Sequence, residues 1–129
     1  MRLAALLLLS LIAEAAPMPG VAQPAPDYVV FFQEWSAALD DSAQAVIGRA
    51  AAWAKAHPSM QVDVTGFADP TGSRNANLLL SELRAQVVVD QLAGDGVSES
   101  RIHPVGQGSV KPALSSQESR RVQVSFRPD

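Results

Sequence analysis

Between about Asn75 and Ala93 the chain has the apolar recurrence of a helix, closed by Gly94, yet the middle of the face that should be buried is polar. At about 100° per residue, Asn77, Ser81, Arg84 and Val88 fall on one line. Leu80 and Val87 flank that line on one side, Leu78, Ala85 and Leu92 on the other, and Glu82, Gln86 and Asp90 mark the solvent side. A helix of this kind buries its apolar stripe against another layer, and here an amide, a hydroxyl and a guanidinium are buried with it. An unpaired buried arginine is prohibitive, so Arg84 requires an anionic partner. The polar half of the stripe lies near the helix start, beside the turn-rich stretch Asp69-Pro70-Thr71-Gly72-Ser73. Asp69 and Arg84 are therefore expected to meet at a strand–helix junction. Either they pair and pin the loop, or they line a pocket with one fixed negative and one fixed positive group. Such a pocket is complementary to a zwitterion, and amino-acid-like ligands have that shape.

The rest of the pattern shows what this helix packs on. Tyr28 to Phe32 is a continuous apolar run of strand length. Asp40, Asp41 and Ser42 supply an N-cap and first-turn acids for a helix in which Ala43, Val46, Ile47, Ala50 and Trp53 recur, stopped by Pro58 after His57. Gln61 to Thr65 alternates, with Val62 and Val64 on one side and Gln61, Asp63 and Thr65 on the other, as in a half-buried strand. Arg101 to Val105 reads as an edge strand, because Pro104 suits only an edge. Val122, Val124 and Phe126 alternate with Gln123, Ser125 and Arg127 in a final strand, with a partial helix expected just before it. This is an α+β or α/β sandwich built on one sheet.

The N-terminus reads as an address. Met1-Arg2 is followed by an apolar run from Leu3 to Ala13, well short of the ~20 residues that span a bilayer. Small-residue cleavage sites follow, and the one ending at Ala22 is preferred because Pro17 hinders the earlier one. Residues 1–22 are thus expected to be a signal peptide, residues 23–27 a proline-rich leader, and residues 28–129 a single domain. The chain has 10 Lys+Arg against 13 Asp+Glu, a net charge of −3, so it lacks the basic field that nucleic acid requires. Without cysteine it has no disulfide, thiolate nucleophile or thioether-linked lipid.

No catalytic constellation is visible. His57 and His103 read as helix-end and surface histidines, no serine sits in a G-x-S-x-G elbow, and Asp40-Asp41 reads as a helix cap. Gly106-Gln107-Gly108 does not open a helix and is too short for a phosphate loop. Trp35 and Trp53 are candidates for stacking on sugars, although Trp53 lies on the first helix's apolar stripe and reads as core.

Gly66-Phe67-Ala68-Asp69, Gly72-Ser73, Asn77, Leu80-Ser81 and Arg84-Ala85 together resemble the signature of the OmpA-like C-terminal domain, roughly G-H-T-D-x-x-G-S followed by N-x-x-L-S-x-x-R-A. Gly96-Val97, Ile102, Gly108, Pro112 and Arg120-Arg121-Val122 continue the pattern in order, so the resemblance extends from about Val29 to Phe126. It implies a β-α-β-α-β-β two-layer sandwich, α+β, with one mixed sheet and its helices on one face. It also implies a non-enzymatic, cofactor-free domain that binds peptidoglycan through the diaminopimelate of the stem peptide. By that resemblance Asp69 takes the ammonium at the side-chain end of diaminopimelate and Arg84 its carboxylate. Asn77 adds an amide hydrogen bond, Arg121 lies at the pocket edge, and Ala68 stands where the family has a threonine. The implied location is the periplasm, peripheral to the outer membrane, anchoring or organising the envelope. The alternative is an envelope assembly protein that uses the fold as a scaffold for another envelope protein. The chain departs from the family pattern at Phe67-Ala68, at Ser119 in place of an asparagine, at Glu34-Trp35-Ser36, and in a shorter loop from Pro112 to Ser119.

Overall fold

Strand and helix boundaries follow the local chemistry closely. The computed structural model describes residues 24–109 and 119–129. Their elements are β1 (Tyr28–Phe31), α1 (Asp41–Ala56), β2 (Met60–Ala68), α2 (Arg74–Gly94), a 3-10 turn (Glu99–Arg101), β3 (Ile102–Ser109) and β4 (Arg121–Pro128). The expected signal peptide and the partial helix before the last strand lie outside the described residues, and residues 24–27 of the leader form no regular element. α1 begins where Asp40 accepts a hydrogen bond from the Ala43 N–H at 2.7 Å. α2 begins at an N-cap, Ser73, whose hydroxyl accepts from the Ala76 N–H at 3.4 Å.

The sheet order is β1-β4-β2-β3. β4 is antiparallel to both of its neighbours, whereas β2 and β3 run parallel, joined by α2 as the crossover. The resulting α+β sheet is mixed, and β3 with its Pro104 is an edge strand as the proline requires. Val30, Val62, Val64, Ile102, Val122 and Val124 of the sheet share one core with Ala43, Ile47, Ala50, Ala51 and Ala54 of α1 and with Ala85, Val88, Val89 and Leu92 of α2. Both helices therefore cover the same face. Alanines line the buried side of α1, which lies against β1 and α2.

Several boundaries differ from the sequence expectation. β2 continues past Thr65 to Ala68, because Gly66 pairs with Gly106 in β3 and with Val122 in β4. These glycines hide the strand pattern but admit α2. A Cβ on Gly66 would overlap the Ser81 carbonyl oxygen, and one on Gly106 would stand 2.7 Å from the Glu82 nitrogen. The helix rests directly on the sheet at that pair. Its C-terminal cap also lies further on than Gly94, which is still helical. Gly96 takes the left-handed position, φ 103°, its N–H donating to Ala93 and the Val97 N–H to Leu92. That is a Schellman closure with Val97 packed in the core.

Arg101 closes the opposite end of the molecule from the loop that carries Asp69. Its Nη2 donates to the carbonyls of Ala54 and His57 at the end of α1, at 3.0 and 2.8 Å. Its Nε and Nη2 also reach the Met60 carbonyl at the start of β2. The Ala54 and His57 carbonyls also accept the N–H groups of His57 and Met60, so the side chain adds a second donor at the helix end.

Candidate functional site

β2 ends at Ala68, and the next residue, Asp69, begins the loop into α2. The first turns of α2 then set Asn77, Ser81 and Arg84 against the sheet, all three buried as the stripe requires. Arg84 is 0% exposed. Its partner, however, is not a carboxylate. Nε donates to the Ser36 carbonyl at 2.8 Å, Nη2 to the Gln33 carbonyl at 2.9 Å and Nη1 to the Phe67 carbonyl at 3.2 Å. The guanidinium carbon also stands 5.3 Å from the centre of the Phe32 ring. The expectation that Arg84 needs an anion directly bonded to it is thus corrected: three backbone carbonyls, from the β1–α1 loop and the end of β2, satisfy it. Burial pushes the Arg84 pKa down from its ordinary value, the charge of Asp69 pushes it up, and the charge of Arg120 pushes it down. Asp69 is therefore close enough to act on Arg84 through space without bonding to it.

Asp69 instead pairs with Arg120, Nη1 to Oδ2 at 3.1 Å, with both side chains mostly buried. Arg120 is held in place by a bond from Nε to the Phe32 carbonyl at 3.2 Å. The second carboxylate oxygen, Asp69 Oδ1, is buried and has no hydrogen-bond partner among the described residues. Asp69, Asn77 and Arg84 line one cleft together with Glu34, Trp35 and Leu80, and its open volume is about 10 Å³. Asn77 points its Nδ2 to the Thr71 carbonyl at 2.7 Å and so clamps the loop across the cleft. Ser81 is structural: it donates to the Leu78 carbonyl and accepts from the Gly108 N–H at 2.8 Å.

The remaining expected site residues lie elsewhere. Arg121 was expected at the pocket edge, but it stacks over the Phe67 ring, 3.9 Å from its centre, and does not line the cleft. Period-two alternation explains the exchange. Val122 and Val124 face the helices, so Arg121 faces the other side of the sheet, and it is Arg120 that reaches Asp69. The same count from Val122 singles out Arg120 from sequence. Ala68 is buried at the end of β2 opposite Ser109 and has no polar side-chain group to offer. Glu34 and Trp35 are cleft residues with no signal in the helix pattern, because an irregular loop carries them in. His57 stacks on Trp53 at 3.8 Å and His103 bonds Gln61 at 2.7 Å, and the described residues contain no group of side chains suited to a metal ion.

No helix among the described residues is long and apolar enough to cross a membrane. A sequence model of the OmpA family matches residues 31–124, a span that includes both helices, β2, β3 and every cleft residue and reaches into β1 and β4. Among characterised relatives, the chain is similar to the peptidoglycan-binding protein ArfA of Mycobacterium tuberculosis, 38% identical over 85 residues, 61% of this chain and 26% of that protein. It is also similar to the peptidoglycan-associated lipoprotein of Agrobacterium fabrum, 36% identical over 83 residues, 64% of this chain and 47% of that protein. The chain thus spans about a quarter to a half of the length of these relatives. Among solved structures, the peptidoglycan-associated lipoprotein from Burkholderia pseudomallei superposes with a TM-score of 0.73 at 27% identity, covering 78% of this chain and 90% of that one. The OmpA-like domain of FopA1 from Francisella tularensis gives 0.70 at 25% identity, covering 79% and 72%. With nearly all of its core, its crossover helix and its whole cleft inside the matched span, the chain belongs to the OmpA family.

Proposed function

We propose that this chain is a non-covalent peptidoglycan-binding domain of the cell envelope, exported to the periplasm, and that it holds the diaminopimelate of the stem peptide in the cleft beside Asp69. The observation that carries the reading is the unpartnered, buried Oδ1 of Asp69 in a cleft that also contains Arg84. A buried carboxylate oxygen left without a donor is costly, and an ammonium from a ligand supplies that donor. Arg84 has five N–H donors and spends three on carbonyls; the others are what it offers a ligand carboxylate. Arg120 adds a second positive charge at the same end. A diamino acid with a carboxylate at its far end matches this set of charges, while a plain amine matches only part of it. The names of the two characterised relatives, one peptidoglycan-binding and one peptidoglycan-associated, support the same reading. The site offers positioning and charge and needs no bond-making step.

A second reading, a scaffold for another envelope protein, draws on the outward leucines of α2: Leu79 is 65% exposed and Leu83 54%. Co-sedimentation with purified diaminopimelate-type sacculi separates the two. The cleft reading expects wild type to pellet, free meso-diaminopimelate to release it, and Asp69→Ala to stay in the supernatant. Pelleting of Asp69→Ala to the wild-type extent removes the cleft from the account, and failure of wild type to pellet favours the scaffold.

A further inference from the structure

Trp35 is the one non-glycine residue among those described with a positive φ, 51°. It sits third in a tight turn closed by the Ser36 N–H on the Gln33 carbonyl at 3.2 Å, a position that ordinarily calls for glycine or asparagine. A bulky residue in this conformation is strained. Burial gives little in return, since the side chain is 58% exposed. Such strain persists where the surroundings over-determine it, and it clusters at ligand clamps. Here Arg84 fixes the turn, bonding the Gln33 and Ser36 carbonyls on either side of Glu34 and the strained Trp35.

The indole lies over the cleft. It rests on the opposite loop at Gly72, where an added Cβ would come within 3.2 Å of Cη2 and 3.5 Å of Cζ2. Gly72 itself has φ 88°, so the loop opposite is shaped to receive the ring. The cleft is half open to solvent, and the room left beside the indole, about 10 Å³, admits roughly one water and no amino-acid side chain. A ligand that reaches Asp69 Oδ1 must therefore displace a side chain that lines the cleft, and the exposed Trp35 lacks the burial that holds Asn77 and Arg84 in place.

We infer that Trp35 is a ligand-contacting residue of this site: its indole leaves Gly72 to admit the diamino acid and closes again over the methylene chain between the ligand's charged ends. This rests on the peptidoglycan reading and adds the apolar contact that reading lacks. The ring face covers the uncharged middle of the ligand, Asp69 meets one end and Arg84 the other. The backbone strain keeps the ring poised outside the core, where it is free to swing.

The chain has two tryptophans, so Trp53→Phe leaves Trp35 as the sole emitter. Titrating that variant with a soluble diaminopimelate-containing muropeptide is expected to shift Trp35 emission to the blue as the ring becomes covered. Trp35→Gly is expected to weaken muropeptide binding at least about tenfold, as loss of a central aromatic contact does. Its thermal midpoint should be unchanged or raised, because glycine relieves the positive φ. Trp35→Phe should restore most of the affinity. If Trp35→Gly binds like wild type while Asp69→Ala does not, Trp35 has no ligand role and the peptidoglycan reading stands without it. Parallel loss of binding and stability in Trp35→Gly makes the residue structural and overturns the inference. Absence of muropeptide binding by wild type overturns both readings.

Discussion

The two ends of β2 solve the same problem with the same residue type and finish differently. At the Met60 end, Arg101 spends its guanidinium on the carbonyls of Ala54, His57 and Met60, and the junction is complete. At the Ala68 end, Arg84 spends its own on Gln33, Ser36 and Phe67. There, however, a carboxylate oxygen is left over: Asp69 Oδ1 is the single buried side-chain polar atom without a partner among the described residues. A cleft opens beside it, lined in part by a tryptophan with a positive φ. An arginine bonded to carbonyls is therefore no mark of a site in itself. What separates scaffold from site is the unmet acceptor next to it.

The largest effect expected from breaking this contrast is that of Arg84→Ala. Three carbonyls lose the Arg84 donor, Gln33 keeping the Ser36 N–H, and a fully buried side chain is removed, at a cost of about 3 kcal/mol or more, read as a lowered midpoint in urea unfolding. Wall binding should fall with it. If Arg84→Ala keeps wild-type stability and loses only binding, the guanidinium serves the ligand alone and the parallel with Arg101 fails. Next comes Arg101→Ala, whose residue is partly exposed; about 1–2 kcal/mol of stability should go, with retention on sacculi unchanged for the variant that remains folded. A loss of retention there would extend the site to the wrong end of the molecule. The smallest effect is expected from Ser73→Ala. Its cap bond is long, 3.4 Å, and Asn77 holds the same loop independently through Thr71. A cost of about 0.5 kcal/mol and unaltered wall binding should result, and a large loss of binding would make the cap, not the Asn77 clamp, the determinant of loop position.

The layers and the buried stripe were legible in the sequence because they repeat. Asn77, Ser81, Arg84 and Val88 are all buried as their spacing requires, and Val62 and Val64 face inward while Asp63 and Thr65 do not. Leu78, placed beside that stripe by the same count, is 39% exposed and packs against Gly108 near the end of β3. Arg84's partners were not legible. Every residue has a carbonyl, so nothing in the side-chain pattern marks Gln33 and Ser36, some fifty positions away, as acceptors. The extension of β2 through Gly66 was hidden for a related reason: glycine reads as a break, whereas here it is what lets α2 lie on the sheet. Of the charged residues at the site, Asp69 and Arg84 were legible from the helix and its loop. Arg120 was recoverable only by counting inward and outward positions back from Val122, and Trp35, visible as an aromatic at a departure from the family pattern, could be placed at the cleft only by a loop conformation that no regular pattern encodes.

The most direct test of the contrast between the two ends is calorimetric titration of a soluble diaminopimelate-containing tetrapeptide into wild type, Asp69→Ala and Arg101→Ala. Saturable binding by wild type and Arg101→Ala, none by Asp69→Ala, and weakening by about 1.5–3 kcal/mol when lysine replaces diaminopimelate are the predicted results. Equal binding by wild type and Asp69→Ala, or indifference to the terminal carboxylate, would contradict the account.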